Sequence, residues 1–368
     1  MTMTAGALRG DAGLKSGEQG RLFYLDAIRV LAIVLIVLYH FNIQVRAQAP
    51  DASVVGSMTV FRQMMGDLGV TLFIIISGAS LGLTANKWKG AGEFYLKRAL
   101  AIYPSFWTAW LFVALVLFWL SGTWPGSGTT WKAVLTVTGF DGFFFYKGPN
   151  FYLVGEWFVG FILCLYALFP ALRAALFRWP LLTWIVVGTL VYLLFRNYVT
   201  LFSVQVDRNP LMRLPDFLFG VCVARYVMPH KHIAFVVSLG TLAVLALWMP
   251  PIHILFYGLV LGVACFCVLA YVGSIIPVSG RMAAVVSKVA QYSFLAFLVH
   301  HQVIYVWLPR VQVGSLSSSR LLLLFCGVLV MSFVIAAILD LLVSPLTKAL
   351  RRALLDRRSS ADARLTRT

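Results

Sequence analysis

Charge is what this sequence has least of. Only 12% of its 368 residues are Asp, Glu, Lys or Arg, about half the share of a soluble domain. Carboxylates are scarcer still, 13 against 30 Lys and Arg. Too few polar groups are present to clothe a water-soluble surface, and that class is excluded. Cysteine is sparse: Cys164, Cys222, Cys265, Cys267 and Cys326 all lie in apolar runs. They read as small buried apolar residues, which excludes a disulfide framework, and no zinc site is expected. Cys265 and Cys267 stand two apart, on different faces of a helix. No internal repeat is present, so the inverted-repeat architecture common among transporters finds no support.

Long apolar runs fill the space that charge leaves. The chain is 61% hydrophobic, its mean hydropathy is +0.88, and such runs recur from end to end. The first cannot be a cleaved signal peptide, because it is too long, lacks a small-residue cleavage site and precedes many similar runs. A spanning helix needs about 20 mostly apolar residues. Ten segments meet that pattern: 22–45, 66–84, 99–120, 152–172, 179–197, 212–228, 232–249, 253–275, 290–310 and 320–345. Pro and Gly clusters punctuate the loops between them. The fold class is therefore an all-α polytopic membrane protein of about ten transmembrane helices. Residues 1–20 are expected to be a disordered tail, residues 21–347 the membrane domain, and residues 348–368 a basic tail.

The net charge of +17 is explained by where its cations fall. With a cytoplasmic N-terminus, twenty Lys and Arg lie on inner segments, nine on outer loops, and Arg29 in a span. The outer nine include Arg208 and Arg213. This asymmetry places both termini in the cytoplasm. The expected partner of the charge is anionic membrane lipid, not nucleic acid.

Ionisable groups inside a bilayer are costly, and each is a functional candidate. RVLAIVLIVLYHF carries Arg29 and His40, eleven residues apart. That is about three helical turns and roughly 16 Å of rise, with both side chains on nearly one face. Arg29 falls toward the cytoplasm and His40 toward the outside. The plainer reading has Arg29 snorkelling beside Asp26 and His40 capping the outer end. A second candidate is the pair His300 and His301 in QYSFLAFLVHHQVIYVW, against which stands a buried histidine bonded to a neighbouring helix. The third is Lys97 with Arg98, whose plain reading is a positive-inside anchor. The fourth is Glu156, an interfacial carboxylate at a depth similar to His40.

Read in order, these stretches resemble the membrane-bound acyltransferase-3 family, from about residue 21 to about 345. LDAIRVLAIVLIVLYHF resembles its opening helix with Leu-Asp, an Arg, ten residues and a His. GVTLFIIISGASLG is similar to its Gly-x-x-x-Phe-Phe-x-x-Ser-Gly segment, placing Phe73, Ser77 and Gly78. FYLKRALAIYPSFW resembles its basic helix, placing Arg98, Tyr103 and Pro104. EWFVGFILCLYALFPAL resembles its Trp-Phe … Tyr … Pro helix, placing Trp157, Tyr166 and Pro170. LPDFLFGV is similar to its Leu-Pro-x-Phe-x-x-Gly turn, and YSFLAFLVHH to the segment that aligns His300. The chain departs from the pattern at Ala101, where a second Arg is frequent, at Thr71, where Asp is frequent, and at Val343-Ser-Pro, where Glu-Arg-Pro is frequent.

The resemblance implies an integral enzyme of the bacterial cytoplasmic membrane. Its expected reaction moves an acyl group, most often acetyl, from cytoplasmic acyl-CoA to a hydroxyl of an exopolysaccharide or lipid-linked saccharide. No metal is expected. No added soluble domain of the kind some members carry is expected after residue 345, and acceptor binding is assigned to the membrane part. Arg98, with Lys97, Ser77 and Tyr103, is expected to meet the CoA donor, and Arg29 lies deeper along its path. His40 is the expected general base, with Glu156 orienting it by depth alone. His300 is either a second acid/base or a structural hydrogen bond, and either histidine is a candidate acyl carrier. A proton-coupled transporter or a scaffold of polysaccharide export are the readings from other classes.

Overall fold

A computed structural model describes residues 16–356, except 86, 87, 89, 146, 147, 156 and 249. Among the described residues nearly all regular structure is helical. The elements are α1 (Ser16–Gln48), α2 (Met65–Leu83), α3 (Ala91–Ser121), α4 (Ala133–Thr138), α5 (Asp141–Phe145), α6 (Phe158–Arg178) and α7 (Pro180–Arg196). They continue with α8 (Tyr198–Leu201), α9 (Leu214–Cys222), α10 (Lys231–Leu247), α11 (Ile254–Ile275), α12 (Gly280–Trp307) and α13 (Ser318–Arg351). A two-residue hairpin pairs Thr59 with Met64 ahead of α2. By length and apolarity, eight helical stretches among the described residues are able to cross a membrane, with Pro180–Arg196 a shorter ninth. The chain is an integral multi-pass membrane protein.

One of the eight, Leu214–Leu247, combines α9 and α10, and its contacts reverse direction midway. Backbone contacts of Gly78 with Phe217 and of Gly82 with Val221 set α9 parallel to α2. On α10, Lys231 Nζ donates to Ser274 Oγ at 3.0 Å, and Phe235 stacks on Tyr271 at 4.2 Å, antiparallel to α11. The turn falls at Met228, Pro229 and His230, where proline removes a backbone donor.

Several expected ends move, for local reasons. α12 begins at Gly280, ten residues before the expected 290, because the Ser279 side chain accepts from the Met282 N–H and caps it. α3 begins at Ala91, eight residues early, and a Lys97–Glu93 ion pair at 2.6 Å, one turn apart, supports the extra turns. α6 starts at Phe158 instead of 152, since Gly155 is left-handed at φ +80° and breaks the helix before it. α1 begins at Ser16, inside the stretch expected to be disordered; residues 1–15 lie outside the described ones.

The bundle is organised around α2. It runs antiparallel to α1, with Tyr39 against Gly66 and Arg29 Nη2 donating to Ser80 Oγ at 3.4 Å. α12 runs parallel to α1, with Ser287 facing Asp26 at one end and His300 bonded to His40 at the other. α3 and α6 form an antiparallel pair beside them, where Tyr95 Oη donates to the Ala167 carbonyl at 2.8 Å. Arg98, Arg173 and Arg225 lie at one end of the bundle, called here the basic end; the histidines lie toward the other.

α2 and α9 touch backbone to backbone at two glycines. A Cβ on Gly78 would collide with the Phe217 carbonyl, and one on Gly220 with the Ile75 carbonyl. Small residues of this kind let membrane helices approach closely. Beside the same contact lies a buried ion pair at the start of α9, Arg213 Nε donating to Asp216 Oδ2 at 2.9 Å, and Arg213 Nη2 reaches across to α2, donating to Thr71 Oγ1 at 2.6 Å. Arg213 was counted with the outer loops, yet it is only 4% exposed. Its charge is neutralised within the bundle and adds nothing to the loop asymmetry.

Gly220→Ala is expected to force these helices apart, at a cost of about 1–3 kcal/mol typical of overpacking. Thermal unfolding in detergent should show a midpoint lower by several degrees. A midpoint equal to wild type would contradict the packing described.

Candidate functional site

Three imidazoles meet between α1 and α12. His40 Nδ1 lies 3.1 Å from His300 Nε2, and the His301 ring lies 4.2 Å from the His40 ring. The sequence periodicity places His40 and Arg29 on one stripe of α1, and that stripe faces α2 and α12. His300 is fully buried, and its Nδ1 stands 2.6 Å from the Phe297 carbonyl oxygen. His301 Nδ1 shares a 3.0 Å hydrogen bond with Tyr305 Oη one turn further on.

With both rings neutral, these contacts place the protons. A carbonyl oxygen only accepts, so His300 Nδ1 carries the hydrogen. With the ring neutral, His300 Nε2 holds a lone pair and accepts from His40 Nδ1–H. The neutral His40 ring then has its lone pair on Nε2, the basic nitrogen. A chain from the Phe297 backbone through His300 thus sets the tautomer and orientation of His40.

Toward the basic end lies a cavity of about 360 Å³. Its wall includes Arg29, Ser77, Ser80, Arg98, Tyr166 and Gln291. Arg29 Nη1 is 3.1 Å from Asp26 Oδ1, while the Arg98 guanidinium lies 5.9 Å over the Tyr166 ring. Ala101 also lines the cavity, so the absence of an arginine there keeps room open and leaves two guanidiniums on its wall. Phe73, Phe158 and Phe297 also line it. Their centroids lie 5.4 Å (Phe158–Phe297), 6.3 Å (Phe73–Phe158) and 6.5 Å (Phe73–Phe297) apart. Phe297 in turn is 5.6 Å from the His300 ring. Phe297 thus stands between the cation-lined cavity and the imidazole cluster, with the other two rings packed on it.

The structure therefore gathers some of the expected residues and not others. His40 with His300, and Arg29 with Arg98 and Ser77, come together as two adjoining groups. Lys97 is turned to Glu93 at 2.6 Å and is not on the cavity wall. Tyr103 is not there either: its hydroxyl donates to the Thr138 carbonyl at 3.1 Å and its ring stacks on Trp107 at 5.1 Å. Together with Trp107 Nε1, which donates to the Val137 carbonyl at 2.8 Å, it pins α4 to α3. The turn after α4 is closed by Asp141, whose buried carboxylate accepts from Thr136 Oγ1 at 2.7 Å and from the Gly142 N–H at 2.8 Å. Burial pushes that carboxyl above its usual range, and these two hydrogen bonds oppose the shift. Glu156 lies outside the described residues. His301, expected as half of the His300–His301 pair, joins the cluster, while Ser80 and Gln291 are cavity residues that sequence reasoning missed; the polar run around Gln291 was the signal for one of them.

The fold and site define a class: a helical, multi-pass membrane protein with an imidazole cluster beside a cation-lined cavity. The family model for the acyltransferase-3 domain, described as "Acyltransferase domain", matches residues 22–341, and the chain belongs to that family of membrane acyltransferases. Compared with curated proteins and with solved structures, the chain has no match.

The tautomer chain is open to direct observation. ¹⁵N spectra of histidine-labelled protein in micelles should show His40 protonated at Nδ1, and His300→Ala should redistribute that proton toward Nε2. A His40 already protonated at Nε2 in the wild type would overturn the assignment.

Proposed function

We propose that the protein transfers an acyl group, acetyl in the first instance, from cytoplasmic acyl-CoA to a hydroxyl of a saccharide at the outer face of a bacterial inner membrane. The saccharide is an exopolysaccharide or its lipid-linked unit. The observation that carries the reading is the His40–His300 hydrogen bond beside a cavity lined by Arg29 and Arg98. We place ten crossings in the membrane, with both termini and the basic end cytoplasmic. The alternating helix directions and the excess of Lys and Arg on that side support this arrangement.

An alcohol attacks a thioester poorly until it gives up its proton. His40 Nε2 accepts that proton as the hydroxyl oxygen bonds to the thioester carbonyl carbon. The carbon–sulfur bond then breaks, and CoA leaves as a thiolate that takes the proton back from His40. His300 stays bonded to His40 Nδ1–H throughout and acts as a positioning residue, a role carried by the Phe297 carbonyl behind it. Arg98 and Arg29 meet the anionic donor, and the thioester reaches His40 past the Phe73, Phe158 and Phe297 rings. In a relay, the His40 nitrogen would itself take the acyl group before passing it to the hydroxyl.

His40→Ala in correctly inserted protein is expected to lower acyl transfer by about 10²–10⁴-fold, the scale of general-base catalysis. Near wild-type transfer would sink the assignment. Radiolabelled acyl-CoA without acceptor, stopped by rapid quench, separates the two routes: labelled protein supports the relay, and its absence supports direct attack. A transporter or scaffold would show neither acyl-CoA hydrolysis nor acceptor acylation when purified. In cells, NMR of surface glycans with and without the gene reads the acceptor and the acyl group.

A further inference from the structure

A second pocket opens at the basic end, and nothing in the mechanism above uses it. It has a volume of about 380 Å³ and lies between the end of α2, α6 and the segment after α9. Gly82, Leu83 and Ala85 form one wall, and Arg173, Phe177 and Arg225 the other. The Arg225 guanidinium sits 5.4 Å over the Phe177 ring, and that of Arg173 lies 6.0 Å from both Trp88 and Phe177. Among the described lining residues none is acidic. Arg225 projects from a π-helical turn, Val223–Val227, a widened geometry that recurs at functional sites.

This pocket and the cavity lie along one face of α6. On α6, Tyr166 lines the cavity and Arg173 the pocket; seven residues are two turns, about 10 Å along one helix face. The cavity's own cations are insufficient for a polyanion. Of the two guanidiniums on its wall, Arg29 is engaged with Asp26, which leaves Arg98 as the cavity cation not paired with a carboxylate among the described residues.

We propose that the Arg173–Arg225 pocket holds the 3′-phosphorylated ADP end of acyl-CoA, while the pantetheine arm lies along α6 into the cavity. This rests on the acyl-CoA donor read above. Two guanidiniums stacked on aromatic rings present their N–H edges to phosphate oxygens. Phe177 and the aliphatic wall of α2 offer a surface to the adenine. The other source of the same chemistry is an anionic lipid headgroup, and the experiment distinguishes the two.

The test measures binding of CoA, dephospho-CoA and pantetheine to wild type and to R173Q/R225Q by calorimetry in phosphatidylcholine nanodiscs. The expected result is CoA affinity lower by about 10–100-fold in the variant, from losing two charge-assisted contacts. The advantage of CoA over dephospho-CoA and pantetheine should shrink by a similar factor. On the wild type alone, adenosine 3′,5′-bisphosphate should displace CoA without displacing pantetheine, a result that needs no variant to fold. Variant affinities within twofold of wild type, or a bisphosphate that fails to displace CoA, would overturn the proposal. So would phosphatidylglycerol retained by wild type and lost by the variant with CoA affinity unchanged, which would make the pocket a lipid site. A wild type that binds no CoA at all strikes instead at the donor reading itself.

Discussion

Everything at this site depends on one hydrogen bond, from His40 Nδ1–H to His300 Nε2, 3.1 Å long and set inside an apolar bundle. A polar side chain at that depth is costly unless it is bonded. The two histidines satisfy each other, and the Phe297 carbonyl satisfies what remains on His300. A carbonyl cannot donate, and that restriction passes through two rings to give His40 a defined basic nitrogen. A backbone atom on a rigid helix thereby does the orienting that many histidine sites assign to a carboxylate.

That bond needs α1 and α12 held parallel and in register, and α2 supplies part of the frame. Gly78 and Gly220 let α2 and α9 meet at backbone distance, and the buried Arg213–Asp216 pair locks the contact from the side. Removing one partner of such a pair leaves an uncompensated charge, so its value is chiefly to fix one arrangement. The same helix then presents Ser77 and Ser80 to the cavity. The glycine contact and the cavity wall therefore belong to opposite faces of α2.

Much of this was legible in the sequence, and the rest was withheld for identifiable reasons. Apolar runs of the right length locate the helices, because a bilayer demands them. Helical periodicity brings Arg29 and His40 onto one stripe, and family motifs mark His300, Ser77, Gly78 and Arg98. Periodicity within one helix does not say which helices touch, so the His40–His300 bond could not be read. Nor could the burial of Arg213, since a cation close to a predicted boundary counts as a loop charge until its partner is seen. Lys97 and Tyr103 lie in the right motif but on the wrong faces of α3: one meets Glu93, the other Thr138. Ala101 was visible only as a missing arginine, and the structure makes it part of the cavity wall.

The central claim is that a donor entering at the basic end is used by His40 to acylate a hydroxyl on the far side. It is tested most directly in proteoliposomes of uniform orientation. Labelled acyl-CoA is supplied on one side, and surface glycan from a strain lacking the gene on the other. The account predicts acylated glycan only when the donor faces the end bearing Arg98 and His40 is intact. Equal product with donor on either side, or from His40→Ala protein, would contradict it.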